Sequence, residues 1–304
     1  MPRNSTIGRA LALTRPVRAA AFGGAIAVAP GIMARWVADL FSTPARPYGT
    51  RGRSAVPAHA DRWARDGLAG WTLGRGPTVL LAHGWSGDAC DLAAVAAALA
   101  GAGFRAVAFD MPAHGASTGR RTNLQGMTRA LIDVARRHGP VAAVVAHSLG
   151  AAAATLALRD GLQTRAAVLL APPRHPNAYL AAFMRVLGVP AAFAPRVRRE
   201  MERRVGPLDR YDAARAATTL STPALVLHDG GDRQVPLADG AAIAAAWSTA
   251  TLTVLDGLGH RRLLRDPAVL AHIVAFVAEH TRGAGRPPSL PGAVTLEPAM
   301  SLAG

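Results

Sequence analysis

Ala146-His147-Ser148-Leu149-Gly150 sets one serine between two runs of opposite character. Val141-Ala142-Ala143-Val144-Val145 before it is a short apolar block with the pattern of a buried strand. Ala151-Ala152-Ala153-Ala154 after it favours helix. A serine on so abrupt a strand-to-helix turn is lifted clear of the sheet, with the first N–H groups of the new helix aimed at whatever it attacks. The turn reads as a nucleophile elbow, with Ala146 standing where glycine is usual.

Three further strand-then-loop segments surround this one. Thr78–Ala82 is a buried-strand pattern that ends in His83-Gly84-Trp85-Ser86-Gly87. Glycine there lets the chain bend so that the N–H of Trp85 joins that of Leu149 as a second donor to one oxyanion. Ala224–Leu227 leads into His228-Asp229-Gly230-Gly231-Asp232-Arg233-Gln234-Val235-Pro236, and Leu252–Leu255 leads into Asp256-Gly257-Leu258-Gly259-His260. Serine, acid and histidine therefore each follow a strand, and in a parallel sheet those strand ends share one edge.

A serine hydroxyl is a poor nucleophile at neutral pH and needs a base to take its proton and a carboxylate to orient that base. His260 is the base. Asp229 and Asp232 are both candidates for the acid.

Taken in order, these segments resemble the α/β-hydrolase superfamily. His83-Gly84 resembles its oxyanion motif, and Asp110-Met111-Pro112-Ala113-His114-Gly115 its turn after the next strand. Asp232-Arg233-Gln234-Val235-Pro236 resembles its acid loop, which favours Asp232 over Asp229. The resemblance spans about residues 70–280. It implies a mostly parallel α/β sheet with helices on both faces, a triad of Ser148, Asp232 and His260, and hydrolysis of a carboxylic ester or thioester through an acyl-enzyme. Acyl transfer, carbon–carbon bond hydrolysis and cofactor-free peroxidation are the alternatives on the same fold, and a non-catalytic binding protein is a further one.

The alternation of patterns agrees with an α/β class. Strands are expected at 70–73, 78–82, 104–109, 141–146, 165–170, 224–227 and 252–255, and helices at 88–102, 124–137, 149–159, 237–247 and 263–280. Residues 51–282 form the catalytic domain, interrupted by an insertion at about 173–218. The resemblance implies that this insertion is a small helical cap over the site, and Tyr179, Phe183 and Met184, with Trp85, are the candidate pocket residues. The tail 283–304, rich in Pro, Gly and Ala, is expected to be disordered.

The chain of 304 residues is half apolar and carries a net charge of +15, yet its basic residues are all arginine and scattered. No aromatic-interleaved basic stripe is present, so nucleic acid is not an expected partner. The expected partner is a small, hydrophobic acyl substrate. Histidine spacing fits no metal site, and neither metal nor cofactor is expected. The single cysteine, Cys90, excludes an internal disulfide and suits a cytoplasmic setting.

Residues 1–50 form an N-terminal helical extension. Arg3, Arg9, Arg15 and Arg18 precede an uncharged run from Ala19 to Ala34, which has the outline of a leader or anchor but is broken by Gly23, Gly24, Pro30 and Gly31. Ile32, Trp36 and Leu40, with Met33, Val37 and Phe41 beside them, then make an amphipathic stripe. Two outcomes are open: a pair of helices packed on the domain, or peripheral contact with a membrane surface.

Overall fold

The computed structural model describes residues 15–45, 55–282 and 294–296. Helices α1 (Arg15–Val28) and α2 (Pro30–Phe41) precede a hairpin of β1 (Asp61–Arg65) and β2 (Leu68–Leu73). Then follow β3 (Thr78–Ala82), α3 (Ala93–Gly101), β4 (Arg105–Phe109), α4 (Leu124–His138), β5 (Val141–His147), α5 (Leu149–Arg159) and β6 (Ala166–Leu170). The insertion contributes α6 (Pro176–Leu187), α7 (Ala194–Val205) and α8 (Ala213–Ala217). The body resumes with β7 (Ala224–Asp229), α9 (Leu237–Ala246), β8 (Ala250–Leu255), α10 (Gly259–Arg262) and α11 (Pro267–Arg282), and β9 (Val294–Leu296) is last.

One sheet holds all nine strands in the order β1-β2-β4-β3-β5-β6-β7-β8-β9. Strands β3 to β8 are parallel, whereas β1, β2 and β9 pair antiparallel at the two sides. Every residue of β3, β5 and β6 is buried, as a strand covered on both faces requires. Alternate residues feed separate cores: Leu80, Ala82, Val144 and Ala146 join that of α4 and α5, while Val79, Leu81, Val145 and Val168 join that of α3 and α11. The chain leaves β3 for β4 on one side and returns to β5 on the other. The crevice at the carboxyl ends of β3 and β5 is thus a topological switch point, where open α/β sheets bind ligands.

Differences from the sequence expectation have local causes. Strand β1 reads Asp-Arg-Trp-Ala-Arg and is largely exposed, so it offers no apolar alternation. The expected helix at 88–102 is a 3-10 turn, Ala89–Leu92, followed by α3. Asp88 caps that turn by accepting from Cys90 N–H at 3.0 Å. The helix expected at 263–280 starts only at Pro267, a first-turn position where the missing N–H of proline costs nothing. In the tail expected to be disordered, Val294–Leu296 pair with Leu252–Val254 of β8. Positions 283–293 and 297–304 lie outside the described residues, as do 1–14 with Arg3 and Arg9.

Helix α2 packs against α7 and α6 of the insertion. Its buried residues are Ala34, Val37 and Ala38, so the packed face lies to one side of the expected stripe, leaving Ile32 60% exposed. No described helix is long and apolar enough to cross a membrane.

Candidate active site

Register brings the first two pieces together. Ala82 of β3 is opposite Ala146 of β5, so the residues two beyond that pair, Gly84 and Ser148, meet. A Cβ placed on Gly84 would lie 2.9 Å from Ser148 Cβ, closer than side chains tolerate, and glycine is therefore required. Ser148 has φ 53° and ψ −129°, a conformation that L-residues avoid and that structures retain where surrounding contacts enforce it. Its N–H donates to Leu170 O at 2.8 Å, and α5 starts at the next residue. Gly150, two residues on, is seated so close to the end of β3 that a Cβ would come within 2.3 Å of His83 O. Ala146, in the position where glycine is usual, is fully buried in the strand, which accommodates its methyl group.

Asp229 and Asp232 have different partners. Asp229 ends β7 and is buried; its Oδ1 accepts from Gly231 N–H at 2.9 Å and its Oδ2 from Leu258 N–H at 2.7 Å. It therefore ties the acid loop to the histidine loop. Asp232 lies beyond the strand end, and its Oδ2 is 2.7 Å from His260 Nδ1. Its Oδ1 accepts from Gln234 N–H at 2.7 Å and from Val235 N–H at 3.1 Å. Burial works to raise the Asp232 pKa, but the Gln234 amide, the His260 ring and the Val235 amide outweigh it and hold the carboxyl below its usual range. An ionised Asp232 accepts a hydrogen bond from His260 Nδ1–H, leaving Nε2 as the acceptor nitrogen. His260 sits on α10, a single turn, rather than on an open loop.

Two buried histidines next to this pair carry no expectation from the sequence. His147 precedes the serine; its Nε2–H donates to His260 O at 2.9 Å and its ring lies 4.7 Å from the His260 ring. Complete burial, with the neighbouring His260 second, pushes its pKa down to about 3, so it is neutral. His228 Nε2–H donates to Val235 O at 3.0 Å, and burial lowers its pKa as well. Both are neutral and brace the segments that carry His260 and Asp232.

The remaining motif residues hold turns. His83 Nε2 accepts from Met111 N–H at 2.9 Å, and its Nδ1–H donates to Gly84 O at 2.7 Å. His114 Nε2 accepts from Ser86 N–H at 3.0 Å. Asp110 accepts from Ala89 N–H at 2.8 Å and Ala116 N–H at 2.7 Å.

Ser148, Leu149, Trp85, His147 and His260 all line one cavity of about 300 Å³. Tyr179 lines it too, with its hydroxyl donating to Asp239 Oδ2 at 2.8 Å. Phe183 and Met184 do not: Phe183 packs on Phe41 with ring centroids 5.4 Å apart, and Met184 is buried in the hydrophobic core. Their apolar character marked both side chains for packing without saying against what. Leu180, Met201, Val205, Leu208 and Tyr211 are in the lining instead, together with Phe41 from α2. Among the described residues, no group of three or more His, Cys, Asp or Glu could hold a metal ion.

Comparison with known proteins gives one consistent result. The model of the alpha/beta hydrolase family matches residues 79–273. Solved structures similar to this chain include a monoacylglycerol lipase from Paleococcus ferrophilus, 22% identical over 70% of this chain and 99% of the other, with a TM-score of 0.55. An esterase from Exiguobacterium antarcticum is 15% identical over 69% and 95%, with a TM-score of 0.54. A bromoperoxidase from Bacillus anthracis is 13% identical over 70% and 95%, with a TM-score of 0.55. At such identities the likeness is one of fold. No curated protein matches the sequence.

Proposed function

Because the chain belongs to the alpha/beta hydrolase family, we propose that it is a serine hydrolase that cleaves a carboxylic ester or thioester. The observation carrying this reading is the 2.7 Å Asp232–His260 bond beside a cavity that His260 lines with Ser148. Ser148 Oγ attacks the carbonyl carbon while His260 Nε2 takes its proton. Asp232 keeps Nδ1 protonated and stabilises the imidazolium. The N–H groups of Trp85 and Leu149 receive the oxyanion, and His260 returns the proton to the departing alcohol or thiol. Water, activated by the same imidazole, then releases the acid and restores Ser148.

The first test is active-site labelling together with turnover of nitrophenyl esters. A fluorophosphonate modifies Ser148 of the wild type but leaves Ser148→Ala unlabelled, and that variant loses at least about 10³-fold in kcat. A wild type that neither labels nor hydrolyses any ester of the series contradicts the reading.

A further inference from the structure

The family match begins at residue 79, yet the cavity includes residues far upstream of it. Phe41 and Ser42, at the end of α2, stand in its wall. Their placement is enforced from three sides. Val37 and Ala38 are completely buried where α2 meets α7. Asp39 is paired with Arg204 of α7 and with Arg121 of the loop before α4. Ser42 O accepts from Thr122 N–H at 2.8 Å, and Ala45 N–H donates to Ser86 Oγ at 3.0 Å, one residue after Trp85. The segment is built into the rim of the site.

The lining also limits what enters. Its only Asp, Glu or Arg side chains are Asp91 and Arg261, and these face each other with both carboxylate oxygens 3.1 Å from one guanidinium nitrogen. Phe41, Leu180, Met201, Val205, Leu208 and Tyr211 make up much of the rest of the lining, and its other polar side chains are uncharged. An uncharged, apolar chain fits this surface, and a charged one would bury its charge without a partner. At roughly 30 Å³ for each water-sized group, 300 Å³ holds about ten heavy groups, which is an unbranched acyl chain of about eight carbons with its reacting carboxyl.

Resting on the serine-hydrolase reading, we propose that the N-terminal segment 30–42 is a wall of the acyl pocket, that the pocket takes medium-length unbranched acyl chains, and that Phe41 sets their length.

Binding tests this separately from catalysis. In Ser148→Ala, calorimetric titration with methyl esters from butanoate to tetradecanoate is expected to give an affinity that rises up to about fourfold per methylene, levels off near eight carbons and then falls. Phe41→Ala in that background moves the turning point about two carbons longer, and Phe41→Trp moves it shorter. Opposite shifts from two substitutions at one position do not arise from misfolding. The same order in nitrophenyl ester kcat/KM is expected from the wild-type serine. Binding that is insensitive to chain length, or a turning point that neither Phe41 variant moves, overturns the inference even if the esters are hydrolysed. Chain-length-dependent binding without labelling of Ser148 or hydrolysis leaves the pocket standing and removes the hydrolase reading.

Discussion

On the sheet side of the cavity, Ser148, Asp232 and His260 sit on main chain held by buried hydrogen bonds, with Asp229, His147 and His228 bracing the same loops. On the helical side, α2 and α7 are joined by apolar contacts and by Asp39 and Arg204, whose side chains remain about one-third exposed. The contrast separates two tasks. Chemistry needs atoms held to within a fraction of an ångström, which buried, directional bonds on rigid strands provide. Shape selection needs only a wall of the right volume, and exposed ion pairs over an apolar seam suffice for that.

Substitutions in the acid loop should produce the largest effect and divide it most sharply. Asp232→Asn is expected to lower kcat about 10⁴-fold, because the amide stabilises the wrong imidazole tautomer. Asp229→Asn should lose far less turnover while reducing stability by about 1–3 kcal/mol, since one of the two carboxylate oxygens that accept main-chain N–H groups is replaced by a donor. Equal kinetic losses in the two variants would erase the distinction between acid and brace.

Next in size is Gly150→Ala. Helix propensity alone would favour alanine by about 1 kcal/mol, but the added Cβ meets His83 O at 2.3 Å. A net loss of about 1–3 kcal/mol is expected, read as a fall of several degrees in Tm. A rise in Tm would show that the contact between α5 and β3 is looser than the structure has it.

The smallest effect belongs to the helical side. Asp39→Asn should cost about 0.5 kcal/mol, and added salt should shrink the difference, because solvent screens these pairs. Asp39 is held below the ordinary 3.8: burial opposes this, and the Arg204 and Arg121 hydrogen bonds and charges prevail. Its folded-state pKa being depressed, the stabilisation is present above pH 3.8 and is lost as pH falls through the lower folded value. Asp232 has the same sign. Thermal unfolding between about pH 5 and pH 2 should therefore show a declining Tm, with a slightly smaller decline in Asp39→Asn.

Much of the sheet was legible because its strands are short, uninterrupted apolar runs bounded by glycine or proline. The candidate site was legible near its strand ends, where Ser148, Asp232 and His260 lie within a few residues of the apolar runs. What escaped is equally specific. His147 and His228 look like ordinary strand residues, and only the folding of three loops onto one another gives them partners. Phe183 and Phe41 have the same apolar character and comparable helical settings, yet Phe41 lines the cavity while Phe183 packs behind it.

The amino-acid sequence by itself determined the alternation of strands and helices, the turn that exposes Ser148 and the order of the chemical groups. These depend on local periodicity and on residues with restricted backbone freedom. Only the tertiary structure set Asp232 against His260 and turned Asp229, which the acid-loop resemblance had already disfavoured, to main-chain N–H groups, and only it brought a helix from outside the family's common body into the cavity wall. Both depend on contacts between segments distant in the chain, where side chains of the same chemical type differ only in what the fold sets against them.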